Sequence, residues 1–137
     1  MLNVLIKNEM VFNNRKICRK SRLKNFKYSS KLNFGKFGLK ALEAGSLNFK
    51  QIESARKVLS KKTERQSKIW VKISFNYALT KKSLGTRMGK GKGKITFFFA
   101  KIKKGCIIFE ISGSNPQKLL FALKACQYKL PIKTLLM

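Results

Sequence analysis

Residues 95–130 read ITFFFAKIKKGCIIFEISGSNPQKLLFALKACQYKL. Two apolar runs, ITFFFAKI and CIIFEISG, are dense in β-branched and aromatic residues and flank Lys103-Lys104-Gly105. They read as two strands joined in a hairpin. Asn115 then supplies a helix N-cap, Pro116 suits the first helical position, and Pro131 marks a stop. Between these signals Leu119, Leu120, Leu123 and Cys126 recur at helical spacing and form one apolar face. Strands followed by a capped helix point to an α+β domain of two packed layers.

Upstream, NFKQIESARKVLSKKTER begins with Asn48 as N-cap and Gln51 three residues on, the form of a capping box. Phe49, Ile52, Ala55, Val58 and Leu59 follow at spacings that predict one buried stripe. Lys50, Arg56, Lys57, Lys61, Lys62 and Arg65 make a basic outer face, densest at the C-terminal end, where cations suit the helix dipole. SKIWVKISF predicts a strand with Ile69, Val71 and Ile73 on one face and Trp70 on the other. That ring is expected to pack in the core, with stacking on a base as the alternative. Phe97, Phe98 and Phe99 place rings on both faces of their strand; without an RNP-type pattern, most are expected in the core. LNFGKFGLKALEAGSLNF reads as short extended segments separated by glycine turns, and LPIKTLLM as a closing extended segment. Two helices packed on an antiparallel or mixed sheet are the expected architecture.

Charge dominates the composition. The chain of 137 residues carries 32 Lys+Arg against 5 acids, formally +27. The acids are Glu9, Glu43, Glu53, Glu64 and Glu110, too few to neutralise the rest internally. A polyanion must supply the missing counter-charge: nucleic acid first, an anionic membrane surface second. With 44% hydrophobic residues there is enough apolar side chain for a core, so wholesale disorder is excluded. Residues 1–31 read as a basic extension, with Arg15, Lys16, Arg19, Lys20, Arg22 and Lys24 in a stretch free of acids, ahead of a domain over 32–137. The apolar start is broken by Lys7, Asn8 and Glu9, so it makes a poor secretory signal; a transit peptide is the alternative to an ordinary extension. Cys18, Cys106 and Cys126 lack metal-ligand spacing and the chain has no histidine, so neither a metal nor another cofactor is expected.

GTRMGKGKG (Gly85–Gly93) looks at first like a nucleotide loop. It fails the Walker pattern: Gly91 stands where the magnesium-binding hydroxyl belongs, and a strand rather than a helix follows. The chain has no aspartate, no Ser–His or Cys–His pair and no plausible acid–base pair of glutamates, so an enzyme is not expected. The remaining reading is a basic loop over Thr80–Lys94 that hugs phosphates with Lys81, Lys82, Arg87, Lys90, Lys92 and Lys94. Gly89, Gly91 and Gly93 would let its main chain come close. Arg87 can grip a phosphate with two N–H groups or stack on a base. A merely solvated basic loop is the bland alternative.

TRMGKGKG (Thr86–Gly93) together with ALKACQYKLPIKT (Ala122–Thr134) closely resembles the large-subunit ribosomal protein family numbered sixteen in bacteria. FGKFGLKALEAG (Phe34–Gly45), QIESARK (Gln51–Lys57) and KIWVKI (Lys68–Ile73) extend the resemblance collinearly over roughly 33–134. It departs from the family at Phe97–Phe99, where Tyr-Trp is usual, in SFNYALTKKSL, where a proline turn is usual, and in a loosely matched N-terminal segment.

The resemblance implies a non-enzymatic domain bound to large-subunit rRNA beside neighbouring ribosomal proteins, with no membrane partner. Its glycine loop would reach toward tRNA on the aminoacyl side of the peptidyl-transferase region. The loop residues carried over are Arg87, Met88, Gly89, Lys90, Gly91, Lys92 and Gly93. Phosphate contacts are expected from Arg15, Lys16, Arg19, Lys20, Arg22, Lys24, Lys36, Lys50, Arg56, Lys57, Lys61 and Lys62, flanked in the loop by Lys81, Lys82 and Lys94. A composition rich in Lys, Asn, Ile and Phe suggests an AT-biased genome, hence a mitochondrial ribosome, with a plastid or a bacterial cytoplasm as alternatives. A free-standing RNA-binding regulatory factor is the second functional reading.

Overall fold

Helix α1 (Phe49–Lys62) starts at the expected capping box. The Asn48 side chain accepts from the Lys50 N–H at 3.3 Å, and Gln51 Oε1 accepts from the Asn48 N–H at 2.9 Å. Donors that a helix start leaves orphaned are thereby paired. Ile52, Ala55 and Leu59 are buried, with Phe49 and Val58 half-buried beside them. Helix α2 (Pro116–Gln127) is capped by Asn115, whose Oδ1 accepts from the Gln117 and Lys118 N–H groups at 3.1 and 3.3 Å. Its buried face is Leu119, Ala122, Leu123 and Cys126. Leu120, expected on that face, is exposed, because Ala122 rather than Leu120 keeps the three-and-four spacing.

The structure, a computed structural model, describes residues 16–17, 31–89 and 91–137. Its strands are β1 (Lys16–Ile17), β2 (Phe37–Ala41), β3 (Gly45–Asn48), β4 (Lys68–Val71), β5 (Tyr77–Lys81), β6 (Lys94–Ile102), β7 (Ile107–Ser112) and β8 (Thr134–Leu136). They form two four-stranded sheets, ordered β1-β5-β6-β3 and β4-β7-β2-β8. Every pairing is antiparallel except β1 with β5. The α+β class is as the sequence implies, divided between two sheets. The helices pack on each other; α1 also meets β3, β6 and β4, while α2 meets β2 and β8. One core joins both sheets, with Leu39, Leu47, Leu59, Ile102, Phe109, Ile111 and Leu123 at its centre.

Strands β6 and β7 do not form the expected hairpin. Each is an interior strand of its own sheet, and the Lys103–Gly105 turn carries the chain from one sheet to the other. The main-chain groups at that turn bond to the end of β2: Gly105 N–H donates to the Ala41 carbonyl and Ala41 N–H to the Cys106 carbonyl, both at 2.8 Å. The Thr80–Lys94 loop is also shorter than expected. Tyr77–Lys81 is a strand paired with β6 down to Lys81 opposite Lys94, leaving residues 82–93 as the loop. Nor are the aromatic rings core. Phe97, Phe98 and Phe99 are half-buried, and Trp70 lies outside the core, half-buried against Phe34.

Glu110 organises that outer side of the second sheet. It is fully buried at the centre of β7, opposite Gly38 on β2 and Trp70 on β4. Its Oε2 accepts from three successive main-chain N–H groups, Asn33 at 3.2 Å, Phe34 at 2.7 Å and Gly35 at 3.0 Å. Gly35 is required there, since a Cβ would fall 2.7 Å from the Ile111 nitrogen. Oε1 has no hydrogen-bond partner and faces the Lys72 ammonium at 3.9 Å, an ionic contact only. That ammonium also sits 4.5 Å from the centroid of the Phe34 ring, which stacks on Trp70 at 6.0 Å. Burial alone pushes the Glu110 carboxyl up, but the three N–H groups and Lys72 outweigh it and hold the carboxyl below its ordinary value.

A carboxyl lowered on folding stabilises the native state above its unfolded pKa of about 4.3, and that contribution fades as pH falls through the lower native value. Glu110→Gln should therefore cost about 1.5–3 kcal/mol at neutral pH. The gap between wild type and variant should narrow progressively below about pH 4. Urea denaturation of both proteins across that range measures it; a gap that widens in acid would contradict this assignment.

Candidate nucleic-acid interface

Strands β5 and β6 are the two arms of a long hairpin, and in the loop between them residues 82–89, 91 and 92 are exposed. Its glycines serve two different physical purposes. Gly91 has a φ of +72° and open space around it, so its backbone conformation, not crowding, calls for glycine. Gly85 and Gly89 share that positive φ. Gly93 is the reverse case: a Cβ there would lie 2.5 Å from the carbonyl carbon and oxygen of Lys81, where the arms close on each other. Close approach is thus made within the hairpin as well as being available to a ligand.

Several contacts within the loop shape it. The Lys82 ammonium donates to the Gly89 carbonyl, the hydroxyls of Ser83 and Thr86 share a hydrogen bond at 2.8 Å, and the Thr86 N–H donates to the Ser83 carbonyl at 3.3 Å. At the base lies a recess of about 470 Å³ lined by Lys81, Lys82, Ser83, Thr86, Gly91, Lys92, Gly93, Lys94 and Thr96. Cations, hydroxyls and main chain make up this lining, with no carboxylate in it. Such a surface complements a phosphodiester by charge and by hydrogen bonding. Arg87 is exposed and Met88 fully so, and Lys90 lies outside the described residues.

The other expected contact residues divide into three groups. Lys36, Lys50, Lys57, Lys61 and Lys62 are exposed. Lys62 places its ammonium 5.0 Å from the Phe121 ring. Arg56 is half-buried instead, because Glu53 takes its guanidinium in two bonds of 2.9 and 2.7 Å, an interaction that also lowers the Glu53 carboxyl. Its capacity for a phosphate is reduced accordingly. Arg15, Arg19, Lys20, Arg22 and Lys24 lie outside the described residues, while Lys16 is placed by β1 at the edge of β5. Lys72 and Lys101 were not singled out by the sequence; only their positions beside aromatic rings draw attention to them.

Among the described residues the acids are otherwise engaged. Glu43 accepts the Lys133 N–H at 2.8 Å, Glu53 holds Arg56, Glu64 holds Lys118 at 3.0 Å, and Glu110 is buried. Burial pushes the Cys126 thiol up to about 12 and raises Cys106 as well, which keeps both as unreactive thiols near neutral pH.

The model of the family described as Ribosomal protein L16p/L10e matches residues 12–137. Among curated proteins, the large ribosomal subunit protein uL16 of Wigglesworthia glossinidia brevipalpis is 43% identical over 116 residues, 85% of each chain. The uL16 proteins of Buchnera aphidicola subsp. Cinara cedri (strain Cc) and subsp. Baizongia pistaciae (strain Bp) are 41% and 40% identical over the same share. This is a family of structural rather than enzymatic components of the ribosome. With the family model matching nearly the whole chain and relatives of this identity covering most of it, the chain belongs to the ribosomal protein L16p/L10e family.

Proposed function

We propose that the chain is a structural constituent of the large ribosomal subunit that binds large-subunit rRNA, with its glycine loop directed toward tRNA beside the peptidyl-transferase region. The observation that carries this reading is the carboxylate-free recess at the base of the β5–β6 loop, in a chain of this family. Two strands paired up to Lys81 and Lys94 hold four lysines around the space, while the loop presents Arg87 beyond it. Charge neutralisation supplies affinity, and the paired arms fix where the loop stands. The exposed lysines of α1, together with Lys36, offer further phosphate contacts, and neighbouring ribosomal proteins would adjoin the rest. No membrane partner is invoked. For the setting we propose a mitochondrial ribosome on the AT-biased composition; the bacterial relatives support the alternative of a bacterial cytoplasm. Sequencing the DNA that flanks the coding sequence would decide between them.

Binding of the full chain to a transcript of the large-subunit rRNA should weaken steeply with salt. With six or more phosphate contacts the loss is about a thousandfold between 50 and 200 mM. An affinity flat over that range, read by filter binding, would remove the electrostatic mechanism. Arg87→Ala should slow tRNA accommodation on reconstituted ribosomes while leaving the thermal midpoint within about 1 °C, since an exposed side chain away from packing contributes little stability. A lowered midpoint with normal translation would refute this role. Gly93→Val should displace the loop base and lower rRNA affinity about tenfold, as Gly91→Val should through backbone strain. Affinity unchanged in both variants would show that the loop's shape is irrelevant to binding.

A further inference from the structure

The outer face of the β5–β6 arms carries rings that the core does not use. In register, Tyr77 stands opposite Phe99 and Leu79 opposite Phe97, while the alternate pair, Ala78 and Phe98, shares the other face with buried Ala100. Tyr77 and Phe99 stack at 5.7 Å between centroids with planes 29° apart. The Lys101 ammonium lies 4.8 Å from the Tyr77 centroid. Phe97, Phe99 and Tyr77 are half-buried, and Leu79 remains 41% exposed. A sheet interior has no need of such rings on its outward side, and a ring plane bordered by a cation suits a flat, electron-rich, anion-bearing partner.

We propose that this face is a stacking platform for unpaired RNA bases, an inference that rests on the rRNA-binding reading and names how the strand leaving the loop is held. Continuity favours RNA as the occupant: the same two strands carry the lysine-lined recess, so a backbone gripped at Lys81 and Lys94 can lay its bases toward Tyr77 and Phe99. Charge favours it too, since a second copy at +27 would be repelled. Bases of any identity have a π-face, so the platform tolerates sequence and adds an affinity component that salt does not screen.

The test compares a 12-nucleotide single-stranded oligoadenylate with an abasic 12-mer of equal charge, both fluorescein-labelled, by anisotropy with the full chain. Wild type should bind the oligoadenylate about tenfold more tightly. Tyr77→Val, which keeps a strand-favouring residue, and Phe99→Leu should each erase most of that difference without changing abasic binding or its salt slope. Tyr77→Phe should retain it. Equal wild-type affinity for the two oligomers would overturn the platform while leaving the electrostatic reading intact. So would a Tyr77→Val loss shared equally by both oligomers. Binding to neither oligomer would overturn both readings. Should the face be covered by residues 1–31 or by an acidic protein instead, the two oligomers would bind alike.

Discussion

A buried carboxylate fixes residues 33–35 against the second sheet. Glu110 collects the N–H groups of Asn33, Phe34 and Gly35 on a single oxygen, and each would otherwise need a partner on the sheet's outer side. Seventy-five residues or more of sequence separate the partners, so the bond closes a long loop for a local gain. Its consequence is directional. Residues 33–35 are held to one side of β7, and β2 follows in register with the strand that holds the carboxylate. Lys72 and the Phe34–Trp70 stack then cover a charge that would be costly if left alone.

That use of Glu110 is one instance of a division of labour. Among the described residues every carboxylate is engaged internally. Glu43 accepts a main-chain N–H, Glu53 holds a neighbour on its own helix, and Glu64 bridges the end of α1 to α2. The cations greatly outnumber these acids. Surface ion pairs such as Glu64–Lys118 contribute little stability each, about 0–1 kcal/mol, and 5 acids cannot neutralise 32 bases. Among the described residues the acids thus hold parts of the fold together, while most of the bases are exposed.

Local signals in the sequence were sufficient wherever structure is decided locally. The capping box at Asn48 and Gln51, the Asn115-Pro116 helix start and the three-and-four spacing of Ile52, Ala55 and Leu59 all act within a few residues. Strand partnership is a different matter. Lys103-Lys104-Gly105 makes a tight turn in either a hairpin or a crossing between sheets, and only the distant main chain of Ala41 decides between them. Strand β5 was hidden because its buried position is a small residue, Ala78, so the usual alternation of large apolar side chains is missing. The recess was legible as a basic glycine stretch, but not as a shape, because the approach of Gly93 to Lys81, too close to admit a Cβ, depends on arms paired through β6. Glu110 carried no signal at all: one acid in an apolar strand says nothing about three N–H groups far upstream.

The same imbalance of charge bears on stability. An isolated chain at +27 works against its own compaction, since like charges repel across the whole surface and few internal pairs relieve them. The apolar core spanning both sheets has to carry the fold against that field, and Leu39, Leu47, Leu59, Phe109, Ile111 and Leu123, all fully buried, come from five separate elements. A polyanion that binds only the folded chain lowers the repulsion and adds its own binding free energy to stability. If the exposed lysines bind rRNA as proposed, recognition and folding are linked through them. On that reading, substituting an exposed lysine by a neutral residue relieves the free protein while weakening the complex, whereas a change at Glu110 or in the core acts mainly on the free protein. The two classes of residue are separable because Glu110 is buried while Lys36, Lys50, Lys57, Lys61 and Lys62 are exposed.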